Sequence, residues 1–203
     1  MKKTGFFAVL LAATITAGAF AGCSDKNESS LSRPPRTSSE STQMDHDEIG
    51  SNVIKGEIGK EVTENDTSFT LNSVISAKND TGEQFIYMDI TLRNSTANAY
   101  TLSTLNNLYI EVPGSSGIIT SDVRTQLYAK QNFKDTKFYE DPFDIPSNGQ
   151  FSGIIGGFAI EGDVSEFTLG FYPTGDDPNA KGTVIKYDIT AADLAAPSAE
   201  ILK

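Results

Sequence analysis

The residues able to do chemistry are few. The chain has one Cys, Cys23, one His, His46, and no Trp. One Cys and one His fall short of the three or four ligands a zinc site takes, and a lone Cys cannot close an internal disulfide. A hydrolase triad needs a base beside its nucleophile, most often His, but His46 lies in Asp45-His46-Asp47-Glu48, outside any periodic segment. Such a run reads as a solvated linker that binds divalent ions weakly and unselectively. No phosphate-cradling Gly-rich loop ending in Lys-Ser/Thr occurs. Gly153, Gly156 and Gly157 lack that spacing and instead fit a strand packed closely against its neighbour, or a bulge.

Carboxylates are the abundant group, with 27 Asp+Glu against 16 Lys+Arg and a net charge of −11. Two of them across a sugar site would suit glycoside hydrolysis. Without Trp that site loses its best stacking platform, and scattered acids on an acidic domain form a solvated face. Calcium matches the supply of hard oxygen ligands better. Its two local candidates are Asp176-Asp177-Pro178-Asn179 and Asp135 with Glu140, Asp141 and Asp144. Neither follows the alternating Asp-x-Asp-x-Asp-Gly order, and the first has the composition of a tight turn. The expectation is a protein that is not an enzyme and needs no metal or cofactor. Nucleic acid is excluded as a partner because its binding needs an excess of Lys and Arg to neutralise phosphates.

Cys23 is explained by what precedes it. Lys2 and Lys3 give a positive start, and Thr4 to Ser24 is uncharged, with Phe6 to Ala13 as its apolar centre. Small residues, Ala21 and Gly22, sit where a signal peptidase must fit the backbone. Phe20-Ala21-Gly22-Cys23 resembles the bacterial lipoprotein box, in which the Cys thiol is diacylated and becomes the new N-terminus; Phe20 departs from the usual aliphatic residue. The alternative is an uncleaved signal anchor long enough to span a bilayer, but its Gly, Ala and Thr weaken insertion. Multiple acyl chains give stable anchoring, so the expected partner of the N-terminus is the membrane, through lipid on Cys23, at the extracytoplasmic face.

From Ser24 to Asn52 only Leu31, Met44 and Ile49 are large and apolar. Burial cannot offset the ordering entropy of such a stretch, so a disordered tether is expected, with a root-mean-square span of roughly 30 Å. The chain therefore divides into a signal peptide (1–22), a lipid-anchored linker (23–52), a domain (53–195) and a C-terminal tail (196–203).

The domain reads as short strands. In Phe85 to Arg93, Ile86, Met88, Ile90 and Leu92 alternate with Asp89, Thr91 and Arg93, which predicts a half-buried strand. Phe69 to Ile75 predicts another, with an irregularity at Asn72-Ser73. Leu108 to Val112, Phe151 to Ile160, Phe167 to Phe171 and Val184 to Ile189 continue the series. Turn residues separate them, at Asn79 to Gly82, Asn94-Ser95, Pro113-Gly114, Pro146 to Gly149 and Gly175 to Asn179. Helix is expected only as a short turn over Ala191 to Leu194, stopped by Pro197. Seven or so strands at this spacing predict an all-β, antiparallel β-sandwich.

The order of Gly59 and Val62, Phe69-Thr70-Leu71, Phe85 to Arg93 with Asn94-Ser95, Leu102-Ser103, Pro146 to Gly149 ahead of Gly153, and then Phe158 and Phe167 resembles a family of bacterial secreted proteins and lipoproteins. The resemblance implies an immunoglobulin-like sandwich of about seven to nine strands. It implies no catalytic residues. With the anchor it implies a cell-surface lipoprotein with a non-enzymatic binding domain; the alternatives are a calcium or small-ligand binder and an inhibitor of an extracellular hydrolase.

Pro113 to Pro146 is too long for an ordinary sandwich connection. It carries Tyr128, Phe133, Phe138, Tyr139 and Phe143, interleaved with Lys130, Lys134 and Lys137. Two readings stand: the aromatics cover an open edge of the sandwich, or they form a recognition surface for an extracellular protein or envelope component.

Overall fold

The computed structural model describes residues 49–134 and 141–203, with the backbone pairing of 138–139. The signal peptide, Cys23 and the tether as far as Glu48 lie outside the described residues. Twelve strands follow the chain among them: β1 (Asn52–Lys55), β2 (Val62–Glu64), β3 (Thr67–Lys78), β4 (Gln84–Asn94), β5 (Tyr100–Leu102), β6 (Leu108–Glu111), β7 (Phe138–Tyr139), β8 (Phe143–Ile145), β9 (Gln150–Ile160), β10 (Phe167–Phe171), β11 (Thr183–Ile189) and β12 (Leu194–Ala195). Two α-helices interrupt them, α1 (Thr104–Asn107) and α2 (Val123–Asn132), and a 3-10 turn spans Ala191–Asp193.

The strands form a first sheet ordered β1-β11-β10-β6, a second ordered β12-β3-β4-β9-β7 with β2 beside β3, and a small third sheet, β5-β8. The fold is thus mostly β, with little helix. Long antiparallel neighbours make the centre of each large sheet, while β1 on β11, β12 on β3 and β7 on β9 are parallel. Alternation along a strand says which face is buried but nothing about the direction of its neighbour; the expectation of antiparallel sheets therefore holds at the centre and not at these outer pairs.

One core joins the two large sheets. Phe69 of β3 stacks on Phe171 of β10 with ring centroids 4.1 Å apart. Around them lie Leu71, Ile86, Met88, Ile90 and Leu92 from one sheet and Ile110, Leu169, Ile185 and Ile189 from the other. Each such side chain removed from water stabilises the fold by about 1.5–3 kcal/mol.

The second sheet is covered on its other face too. Phe85 and Tyr87 point away from that core, into a second cluster with Ile75, Ala77, Ala129, Phe133, Ile154 and Ile201. β4 is therefore buried on both faces over its first half, and the half-buried pattern expected for it applies to Asp89–Arg93. Ile201 is 4% exposed, and the Lys134 N–H donates to its carbonyl at 2.7 Å, so residues set apart as a tail pack against α2 and the sheet.

Two local expectations have direct structural counterparts. The β3–β4 register shifts between Leu71 and Ser73, at the irregularity read from Asn72-Ser73. In β9 the register against β4 shifts between Ile86 and Met88, where Gly156 and Gly157 lie opposite Tyr87. A Cβ on Gly157 would stand 1.6 Å from the Ile86 carbonyl oxygen, and one on Gly156 would stand 2.8 Å from Cγ of Gln126 in α2. Only glycine lets the β4 backbone come this close at Gly157, and the bare Gly156 leaves room for the Gln126 side chain of α2.

Candidate functional site

The segment singled out by its length and aromatics, Pro113 to Pro146, runs from the end of β6 through α2, β7 and β8. Asp122 caps α2, its carboxylate accepting from the Arg124 N–H at 2.8 Å. The Arg124 guanidinium donates back to Asp122 at 2.6 Å and to Glu83 at 2.7 Å. That hydrogen-bonded guanidinium holds the Asp122 carboxyl below its ordinary pKa.

α2 is fastened to the sheet by polar groups. The buried Tyr87 hydroxyl donates to the Thr125 carbonyl at 2.6 Å, and burial pushes its pKa well up. The Asp122 N–H donates to the Gly157 carbonyl at 3.0 Å. The Thr125 hydroxyl accepts from the Gly157 N–H at 3.0 Å. The face of α2 turned inward consists of small residues, Thr125 and Ala129, whereas Val123 and Leu127 are 65% and 54% exposed.

The five aromatics do not share one surface. Phe133 is 1% exposed and meets Tyr87 edge to face at 5.0 Å. Phe143 is 5% exposed and stacks on Phe151 at 4.6 Å. Both rings are taken up by the core, because large planar apolar groups gain most where α2 and β8 close over the sheets, and this corrects their assignment to a partner-binding surface. Tyr128 is half-buried, edge-on to Phe85 at 5.3 Å, with its hydroxyl donating to the Lys78 carbonyl at 3.1 Å. Phe138 and Tyr139 form β7, paired with Ile154 and Ile155 at the edge of the second sheet; their side chains lie outside the described residues. The outward pair Val123 and Leu127 was missed in the sequence, though their spacing of four is one helical turn.

The acidic clusters weighed for calcium are engaged locally. Asp177 accepts from the Asn179 N–H at 2.9 Å, Asp141 from the Thr104 N–H at 2.6 Å, and Asp144 from the Thr101 hydroxyl at 2.7 Å. Asp135 and Glu140 lie outside the described residues. Among the described residues no group of three or more metal-ligating side chains converges. Two open clefts of about 410 and 460 Å³ lie beside Glu111, Pro113 and Ile118 and beside Glu61, Arg93 and Asn148. In the second, Arg93 is engaged with Glu61 and Gln150. No helix among the described residues is long and apolar enough to cross a membrane.

No protein-family model matches the chain, and no curated protein does. Solved structures similar to it include the yjhA protein of Bacillus subtilis, with 12% identity and a TM-score of 0.44 over 66% of this chain and 98% of that one. A candidate lipoprotein of Bacillus subtilis, ycdA, has 13% identity and a TM-score of 0.42 over 68% of this chain and 40% of its own. A candidate lipoprotein of Staphylococcus aureus has 12% identity and a TM-score of 0.45, with 70% and 97% covered. At these scores the likenesses transfer no role to this chain.

Proposed function

We propose that the chain is a lipoprotein, held by acylated Cys23 on the extracytoplasmic face of the cell membrane, whose β domain is a non-enzymatic binding module of immunoglobulin-like architecture. One observation carries the anchor: the only Cys follows Phe20-Ala21-Gly22 at the end of the uncharged run behind Lys2 and Lys3. Metabolic labelling with a fatty acid tests it. Label in the wild type that disappears in Cys23→Ala is the expected result; equal labelling of both removes the reading.

Support for the architecture comes from strand order. An immunoglobulin constant-type domain places its first, second, fifth and fourth strands in one sheet and its third, sixth and seventh in the other. Here β3-β4-β9-β7 and β6-β10-β11 follow that order, with β1 added in parallel beside β11. The parallel pairing of β7 with β9 is the departure.

The module recognises an extracellular protein or envelope component through the face that carries α2 and β7. With Phe133 and Phe143 in the core, the candidate anchors there are Tyr128, Phe138 and Tyr139. Capture from an envelope fraction, compared between the wild type and the Phe138→Ala, Tyr139→Ala double variant, tests this. Lost capture with an unchanged melt is expected. Retained capture with a lowered melt makes β7 an edge cover only.

A further inference from the structure

Tyr187 of β11 carries a polar atom that the fold does not use. Its ring lies in the main core, edge-on to Phe69 at 5.9 Å, and the residue is 1% exposed. Its hydroxyl has no hydrogen-bond partner among the described residues. Burial pushes its pKa well up, so the group stays protonated and neutral. Phenylalanine would fill the same space without the cost of burying an unpaired hydroxyl.

The hydroxyl end of the ring borders a cleft of about 340 Å³. Gly56, where the chain leaves β1, lines it together with Tyr187. A Cβ on Gly56 would stand 2.4 Å from Tyr187 Cζ, the carbon that bears the hydroxyl. The bare backbone of Gly56 therefore lies at that end of the ring and leaves the polar atom aimed at the cleft.

Three carboxylates line the same cleft, Glu57, Asp188 and Asp193, against one ammonium, Lys55. Glu57 is paired with Lys60 at 2.5 Å and Asp188 with Lys55 at 3.1 Å. Asp193 differs in its partners. Its Oδ2 accepts from the Thr190 N–H at 2.9 Å and from the Thr190 hydroxyl at 2.7 Å, both neutral groups. These bonds hold its carboxyl below the ordinary pKa, so it is ionised at neutral pH, with Oδ1 left to a ligand.

We propose that this cleft binds a primary ammonium group, which donates to the Tyr187 oxygen and to the Asp193 carboxylate. An ammonium carries three donors that diverge to separate acceptors. A guanidinium fork takes both oxygens of one carboxylate, and Asp188 and Asp193 each have an oxygen engaged. A metal ion is less well served, because no three metal-ligating side chains converge among the described residues. An anion would meet three carboxylates. The net charge of −11 favours a cationic ligand as well. The same chemistry is offered by a free alkylamine and by a lysine side chain of a polypeptide. The cleft uses no residue of α2 or β7, so it stands or falls apart from the recognition face proposed above.

Saturation-transfer NMR on the full-length chain in nonionic detergent micelles tests the site. The probes are n-butylammonium, the N-methylamide of Nα-acetyl-lysine, and tetramethylammonium, which has the charge but no N–H. Saturable transfer is expected for the first two and not for the third. Tyr187→Phe and Asp193→Asn should each raise the half-saturating concentration about fivefold, as loss of one exposed charge-assisted contact does. Asparagine at 193 keeps an oxygen for Thr190, so the turn survives. Asp163→Asn removes the same charge beside Lys78 and should leave binding unchanged. Tyr187→Phe should melt no lower than the wild type, since the hydroxyl it loses has no partner. Tighter saturation by the lysine derivative supports a polypeptide source of the ammonium, and tighter saturation by n-butylammonium a free amine. Transfer no greater than with tetramethylammonium, or equal half-saturation in the wild type and all three variants, overturns the proposal. A Tyr187→Phe melt lowered by more than about 3 °C also overturns it, by giving the hydroxyl a structural role.

Discussion

The Thr125 hydroxyl accepts from the Gly157 N–H at 3.0 Å, while its own proton is shared between the Asp122 carbonyl at 2.6 Å and the Gly157 carbonyl at 3.1 Å. Gly157 sits where β9 sets two residues against one in β4, a bulge that takes its amide and carbonyl out of the ladder. One hydroxyl on α2 thus answers the Gly157 amide, whose carbonyl is met by the Asp122 N–H as well.

Thr125→Val, which keeps the shape and removes the hydroxyl, should cost about 1–3 kcal/mol by leaving the Gly157 amide unsatisfied. Thr125→Ser should recover most of that. Urea unfolding of the two variants is the check, and equal stability of both would mean that packing, not the hydrogen bond, holds α2.

Gly157→Ala should be worse. Its Cβ would lie 1.6 Å from the Ile86 carbonyl oxygen, so β4 and β9 must separate, at a cost above about 3 kcal/mol. In a domain of this size that lowers the melting temperature by about 6 °C or more.

Ile201→Ala should destabilise by about 2–4 kcal/mol, since a side chain 4% exposed leaves a cavity against Phe133 and Ala129. A melt within 1 °C of the wild type would show that the last residues contribute nothing to the fold.

The capping contact of α2 carries a pH signature. The pKa of Asp122 is lowered in the folded protein by the hydrogen-bonded Arg124, so its contribution is fully present above the unfolded value of about 4 and is lost as pH falls through the lower folded value. Asp122→Asn keeps the cap and removes the charge. Its stability deficit relative to the wild type should therefore be present at pH 6 and shrink below pH 4, as read by denaturant midpoints across that range.

Much of the β framework is legible because its causes are local. The alternation from Ile86 to Leu92, the irregularity at Asn72-Ser73 and the glycines of β9 each act within a few residues, through the pleat, an extra residue and a missing Cβ. The turn at Asn79 is of the same kind, its side chain accepting from the Thr81 and Glu83 N–H groups at 3.0 and 2.8 Å. The anchor proposed at Cys23 rests likewise on neighbouring residue types, Phe20-Ala21-Gly22 ahead of it.

What escaped the sequence depends on distant partners. α2 buries Thr125 and Ala129 and exposes Val123 and Leu127, the reverse of an amphipathic pattern, because the side it turns to the sheet is held by hydrogen bonds that join Thr125 to Tyr87 and Gly157. Phe133 joins the core because the end of α2 brings its ring against Tyr87. The parallel outer strands and the docking of Ile201 join chain ends to strands far away in sequence, and no local period encodes such pairings. The residues alone determined which segments are extended and which faces are apolar. Which segment covers the second face of the second sheet, and that Phe133 is buried there, was decided only when long-range packing brought α2, β9 and the last residues together.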